Sequence, residues 1–219
     1  MKRLVPIILI PLLMWACSKE NASPADADMA PYTRDAVVTA MQEEDGTVYL
    51  LMQGLKLLPY EDIGYAGPGR AMCSLTIYAE QMADQVRRAQ VHWIEWLDRG
   101  EVLHGAGRTV SDGVDPILDS WITSVEDGYL TLHYNAWWGD TAKRHDLKLL
   151  TGGDPEDPYL VRLIHDAHGD TGETYTDGIV YFDLNALPPT GEETVRLTLK
   201  WTNTNGQEAS AGFDFRTRK

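Results

Sequence analysis

The chain has 219 residues, 43% of them hydrophobic, and its 33 acidic residues outnumber 19 Lys and Arg for a formal charge of −14. That balance repels phosphate backbones and anionic headgroups, so it excludes nucleic acid as a partner and a basic face as a means of membrane attachment. The length is ample for a core and suits one large or two ordinary domains.

Lys2 and Arg3 precede an apolar run from Leu4 to Ala16 that stops at Cys17. A basic end followed by a short apolar stretch is the form of a secretion signal. The run falls short of the roughly 20 apolar residues a membrane helix needs, and Pro6 and Pro11 interrupt it. Its end, Met14-Trp15-Ala16-Cys17, resembles the lipobox of bacterial lipoproteins, which implies loss of residues 1–16 and a lipid on Cys17 as the membrane anchor. A lipidated Cys17 leaves Cys73 without a disulfide partner. Residues 17–31, rich in Ser, Ala, Asp and Pro, read as a flexible tether. Within it, Lys19-Glu20 resembles the acidic sorting signal of surface lipoproteins in Bacteroidota-type bacteria.

From Asp35 the pattern is that of β-structure. Residues 36–42 and 47–53 flank Asp45-Gly46, a hairpin signal. A Gly/Pro-rich loop over 63–70 is followed by predicted strands at 71–79 and 89–97, with a short helix open to residues 80–88. Cys73, Leu75 and Ile77 share one strand face there; a buried apolar thiol is the plain reading of Cys73, a reactive thiol the other. Residues 104–116 are poor in apolar side chains and mark the domain boundary. Beyond it, strands are predicted at 119–125, 129–137, 143–150, 159–166, 178–186, 195–203 and 209–216. Many short strands with turn signals between them read as an antiparallel β-sandwich. Val195, Leu197, Leu199 and Trp201 face one way along the clearest of these strands.

The segments 125–139 (VEDGYLTLHYNAWWG), 147–170, 177–201 and the closing FDFRTRK of 213–219 resemble the C-terminal half of NigD-like lipoproteins. The resemblance implies an all-β chain: an OB-like β-barrel domain over 32–105, then a β-sandwich domain over 106–219. It implies an outer-membrane lipoprotein of a Bacteroidota-type envelope, facing the surface or the periplasm. Because the family is named after a bacteriocin operon, it also implies a bacteriocin-related or immunity role. No catalytic residues come with the family.

His165 and His168 lie near Asp166, Asp170 and Glu173. A spacing of three on an extended strand points them to opposite faces, so they meet one metal ion only if the chain turns at Gly169. The acidic loop 165–177 supplies hard oxygen ligands for calcium, although its spacing is not that of an EF-hand. Paired carboxylates for glycoside hydrolysis are uninformative in so acidic a chain. No nucleophile elbow, Walker loop or dinucleotide fingerprint appears, so no catalytic residue, metal or cofactor is assigned.

The aromatics are the better lead. Trp137 and Trp138 are consecutive on a predicted strand, so at least one faces outward unless another element covers it. Either is a candidate contact for a sugar ring or a protein partner. Trp121 and Trp201 read as sandwich core, and Trp93 and Trp96 as lying on opposite faces of one strand. Lys and Arg along 216–219 blunt the last strand as an edge. The chain is therefore expected to be no enzyme. It reads as a lipid-anchored envelope protein that binds an envelope protein, a toxin or a glycan. The rival reading is a glycan-binding accessory subunit or carbohydrate-active enzyme.

Overall fold

The computed structural model describes residues 31–105, 111–119, 121–139 and 143–218. The signal at 1–16, Cys17 and all of the tether but Pro31 lie outside the described residues. Among the described residues no helix is long and apolar enough to cross a membrane.

Five strands close a barrel in the order β1-β2-β3-β5-β4: β1 (Tyr32–Gln42), β2 (Val48–Met52), β3 (Leu55–Pro59), β4 (Gly69–Ala83) and β5 (Val86–Trp96). Alternation along β1 and β4 sends Ala36, Val38, Ala40, Cys73, Leu75 and Ile77 into one core with Leu50, Met52 and Leu57. Cys73 is fully buried, and burial pushes its thiol up to about 12.

The helix left open at 80–88 does not form. β4 and β5 run on through this stretch as an exposed ribbon, closed at Asp84-Gln85 with Gln85 at φ 54°. A helix needs an apolar face to bury, and Met82 here is itself half exposed. β3 was not foreseen in sequence. The two residues before it, Gln53 and Gly54, both take positive φ (51° and 80°), which is the tight hairpin turn that joins it to β2.

Among the described residues ten further strands form the sandwich: β6 (Asp98–Arg99), β7 (Glu101–His104), β8 (Asp115–Ile117), β9 (Ser124–Glu126), β10 (Tyr129–Trp138), β11 (Asp146–Thr151), β12 (Leu160–Asp166), β13 (Thr174–Asp183), β14 (Val195–Thr202) and β15 (Glu208–Phe215). One sheet has the order β6-β13-β10-β8, with β9 also on β10; the other runs β15-β14-β12-β11-β7. Leu130, Leu132, Phe182, Leu149, Leu163, Leu197, Leu199 and Phe215 fill the space between them.

Three pairings run parallel (β6 with β13, β7 with β11, β12 with β14), so the sandwich is mixed where sequence reading had it antiparallel. The strand expected at 119–125 is largely a turn: one Asp119 oxygen accepts the N–H groups of Ile122 and Thr123, and β9 is only three residues long. The changeover between domains also comes before the expected 105/106 boundary. The last barrel strand ends at Trp96, and Asp98–His104 already pair with sandwich strands.

The barrel sits on the outer face of the β6-β13-β10-β8 sheet. Arg70, 1% exposed on β4, donates from Nε to Thr131 Oγ1 on β10 (3.0 Å), from Nη1 to Thr39 Oγ1 on β1 (2.7 Å), and from Nη2 to Glu126 on β9 (3.3 Å). Burial lowers its pKa, and the Glu126 carboxylate works against that loss. Gly69 is needed beside it, because a Cβ there would stand 2.9 Å from the Tyr181 hydroxyl.

Candidate functional site

On β10 the residues Tyr129, Thr131, His133, Asn135 and Trp137 point away from the sandwich core, and Tyr181, Asp177 and Tyr175 lie beside them on β13. The barrel covers the first part of this face, where Tyr129, Thr131 and Tyr181 are buried. The far end is open. There Trp137 is 46% and Tyr175 43% exposed; the two are directly opposite in register, with ring centroids 5.0 Å apart and planes at 48°.

The Tyr175 hydroxyl donates to Asp115 on β8 (2.7 Å), and Asp115 also accepts from the Thr204 N–H and hydroxyl. Burial works against the charge on Asp115, but these donors outweigh it and its pKa is lowered. Burial and the Asp115 carboxylate push the Tyr175 phenol up to about 12, so it remains a donor. Tyr175 is thereby pinned beside the Trp137 ring.

Four residues back along β10 from Trp137, His133 is held between carboxylates, Nδ1 2.8 Å from Asp119 and Nε2 3.0 Å from Asp177. Burial disfavours its charge, but the two carboxylates prevail and its pKa is raised. The hydrogen bond to His133 lowers that of Asp177.

Trp138 turns the other way. It packs on the sandwich core and stacks flat on His145, with centroids 3.7 Å apart and planes at 9°. Strand alternation chose Trp137 for the surface, so of the two candidate contacts only Trp137 is openly presented. Behind Trp138, His145 Nε2 lies 3.2 Å from Asp170 and its Nδ1 3.0 Å from His165 Nε2; His165 Nδ1 donates to the Gly113 carbonyl at 2.9 Å. Both rings are buried, and burial lowers the pKa of His165. A cavity of about 330 Å³ opens beside Trp138 and His145, where Arg144 pairs with Asp146 and Lys148 with Glu101.

His165 and His168 do not meet. The chain turns with both His168 (φ 50°) and Gly169 (φ 70°) left-handed, and His168 swings out to Asp146 at 2.9 Å. Among the described residues no group of three His, Cys, Asp or Glu side chains could hold a metal ion. The acidic loop instead spends its carboxylates within the fold: Asp166 caps the His168 N–H, Asp170 accepts the Gly139 N–H, and Asp177 holds His133.

Sequence reading placed Trp121 in the core, yet it is 50% exposed, because it stands in the Asp119 turn rather than on a strand. Trp93 and Trp96 are both exposed, while Trp201 is buried as expected. His145, Tyr175 and Asp115 were missed as site residues. The sequence offered one usable signal, the direct pairing of two hairpin strands, but not its register. Gly172 was missed too: a Cβ on it would lie 2.2 Å from Trp138 N, so segment 170–172 rests directly on the backbone of the tryptophan pair.

The sequence profile of the NigD-like C-terminal beta sandwich domain matches residues 106–215. No curated protein sequence matches the chain significantly. Among solved structures, a toxin-related protein from Parabacteroides distasonis is similar at 26% identity and TM-score 0.69, covering 84% of this chain and 94% of that one. A NigD-like immunity protein from Bacteroides caccae is similar at 18% identity and TM-score 0.57, covering 85% and 98%. A lipoprotein from Bacteroides fragilis, at 12% identity and TM-score 0.58 over 86% and 100%, shares the fold. With half of its residues matched by that profile, the chain belongs to the NigD-like family.

Proposed function

We propose that the protein is a lipid-anchored component of the cell envelope that works by binding a partner, not by catalysis. The observation that supports it is the exposed cross-strand pair Trp137 and Tyr175, with Tyr175 fixed through Asp115, at the end of the sandwich away from the barrel. Large aromatic rings fixed at a surface bind at little entropic cost. Cys17 holds the lipid, and the tether of residues 17–31 gives the folded domains reach. The anchor lies in the outer membrane.

A photo-reactive residue at position 137 of the full chain, in living cells of its native host, is expected to give an adduct that the same residue at Glu80 does not. Absence of an adduct at 137 overturns the binding role. Cys17→Ala is expected to move the protein from the membrane to the soluble periplasmic fraction. A variant that still sediments with membranes overturns the anchor. Protease treatment of intact cells then tells the outer face of the membrane from the inner one.

A bacteriocin-related role is a second reading, supported by the likeness to the toxin-related Parabacteroides protein over 84% of this chain. Deleting the protein is then expected to change the sensitivity of the host to bacteriocins of neighbouring strains. Unchanged sensitivity removes this reading.

A further inference from the structure

We propose that the open face around Trp137 and Tyr175 binds a neutral saccharide. The inference rests on the binding role above and names the ligand class for the same surface.

Three observations carry it. The first is shape. Trp137 and Tyr175 stand directly opposite each other with centroids 5.0 Å apart, and together offer an apolar surface on the scale of one or two sugar rings. The faces of aromatic rings pack against the C–H side of a pyranose as they do against other apolar groups, with the ring edges left free. The hydrogen bond from the Tyr175 hydroxyl to Asp115 fixes that ring before any ligand arrives, so little side-chain freedom is lost on binding.

The second is the polar rim. Asn135 pairs directly with Asp177 beside the aromatic pair, and Asp177 is 60% exposed at its side chain. An amide that both donates and accepts, next to a carboxylate with lone pairs to spare, matches the mixed donor and acceptor character of sugar hydroxyls.

The third is charge. Strands β8, β10 and β13 carry no Lys or Arg, Arg99 on the neighbouring β6 is paired with Asp183, and His133 is held between two carboxylates, so among the described residues the open end offers no free cation to a phosphate, a sulfate or a uronic acid. Asp115 is taken by Tyr175 and Thr204, Asp119 by Ile122, Thr123 and His133, and Asp177 shares His133. Neutral donors leave these carboxylates charged, so the face repels anions, and a cation drawn to them would be released by salt whereas a neutral polyol would not. The ligand this favours is uncharged, hydroxyl-rich and able to stack.

The experiment is affinity electrophoresis of the full chain in detergent, through gels holding yeast mannan, soluble starch, xylan or galactomannan, with pectin as the anionic comparison. Retardation by at least one neutral polysaccharide is expected, unchanged in about 0.5 M salt, where exposed charges are screened. Trp137→Ala should weaken it roughly tenfold or more, the scale of a lost stacking contact. Trp137→Phe should restore much of it, and Trp93→Ala, on the barrel, should leave it intact. The proposal is overturned if no neutral polysaccharide retards the chain, if Trp137→Ala makes no difference, or if binding is confined to pectin or lost in salt. Photo-adducts at position 137 without retardation leave the binding role standing and remove the saccharide. Loss of both removes the binding role as well.

Discussion

The Arg70 guanidinium of the barrel stands 3.0 Å from the Thr131 hydroxyl of the sandwich, wholly out of contact with water. A buried cation with three polar partners makes the domain junction a fixed one. Removing the cation leaves Glu126 uncompensated and Thr39 and Thr131 unpaired. Arg70→Ala is expected to lower stability by roughly 3–5 kcal/mol, measured by urea unfolding. A loss below about 1 kcal/mol would mean that the junction does not depend on this residue.

The two adjacent tryptophans should behave oppositely. Trp138→Ala removes a ring stacked on His145 and packed on the core, and is expected to cost about 2–4 kcal/mol. Trp137→Ala trims a half-exposed ring and is expected to stay within about 1 kcal/mol. Thermal melts of the two variants side by side decide this, and equal losses would contradict the assignment of faces.

Gly172→Ala sets a methyl group 2.2 Å from Trp138 N, a contact that backbone alone must relieve. A loss of about 2 kcal/mol or more is expected, together with weaker ligand binding, because the strand end carrying Trp137 must shift. Calorimetry and the binding assay read the two effects separately.

The histidines respond to pH in opposite directions. His133 binds its proton more tightly in the folded state, so its contribution is full below about pH 6.5 and is lost as pH rises through its raised value. Asp177, with a lowered pKa, contributes above about pH 4, and its contribution is lost as pH falls. The His133 clasp is therefore strongest between those limits. His133→Gln should destabilise more at pH 6 than at pH 8, and in NMR titrations the His133 ring should titrate above the ordinary histidine value and His165 below it. The reverse order would refute the clasp.

Cys73, with its thiol pushed up to about 12 in the barrel core, should resist alkylating reagents until the barrel unfolds. Labelling in native buffer as fast as in urea would overturn its burial.

Local chemistry explains which features were legible beforehand. Asp45-Gly46 announced the first hairpin, and alternation from Val195 to Trp201 announced both a strand and its buried face, with Leu197, Leu199 and Trp201 inside. What stayed hidden depends on distant residues. Trp137 and Trp138 are chemically alike, and only the register against Tyr175 and Thr174 decides which one meets solvent. Arg70, at the end of a Gly/Pro-rich loop, gave no sign of burial, because its three partners come from two domains. The parallel pairings likewise join segments far apart in the chain, where no turn residue marks the contact.

The stretch Asp98–His104 joins the sandwich at both sheets, as Asp98 and Arg99 pair with β13 and Glu101–His104 with β11. Gly100, between them, lies so close to Phe182 that any side chain would collide with the ring. The match to the family's C-terminal sandwich domain begins at residue 106, later than the first strands that pair into this sandwich. Moving this sandwich onto another barrel would therefore require carrying seven residues that look in sequence like the tail of the first domain. A transplant cut at 106 would leave Phe182 uncovered, with β11 and β13 as raw edges open to aggregation.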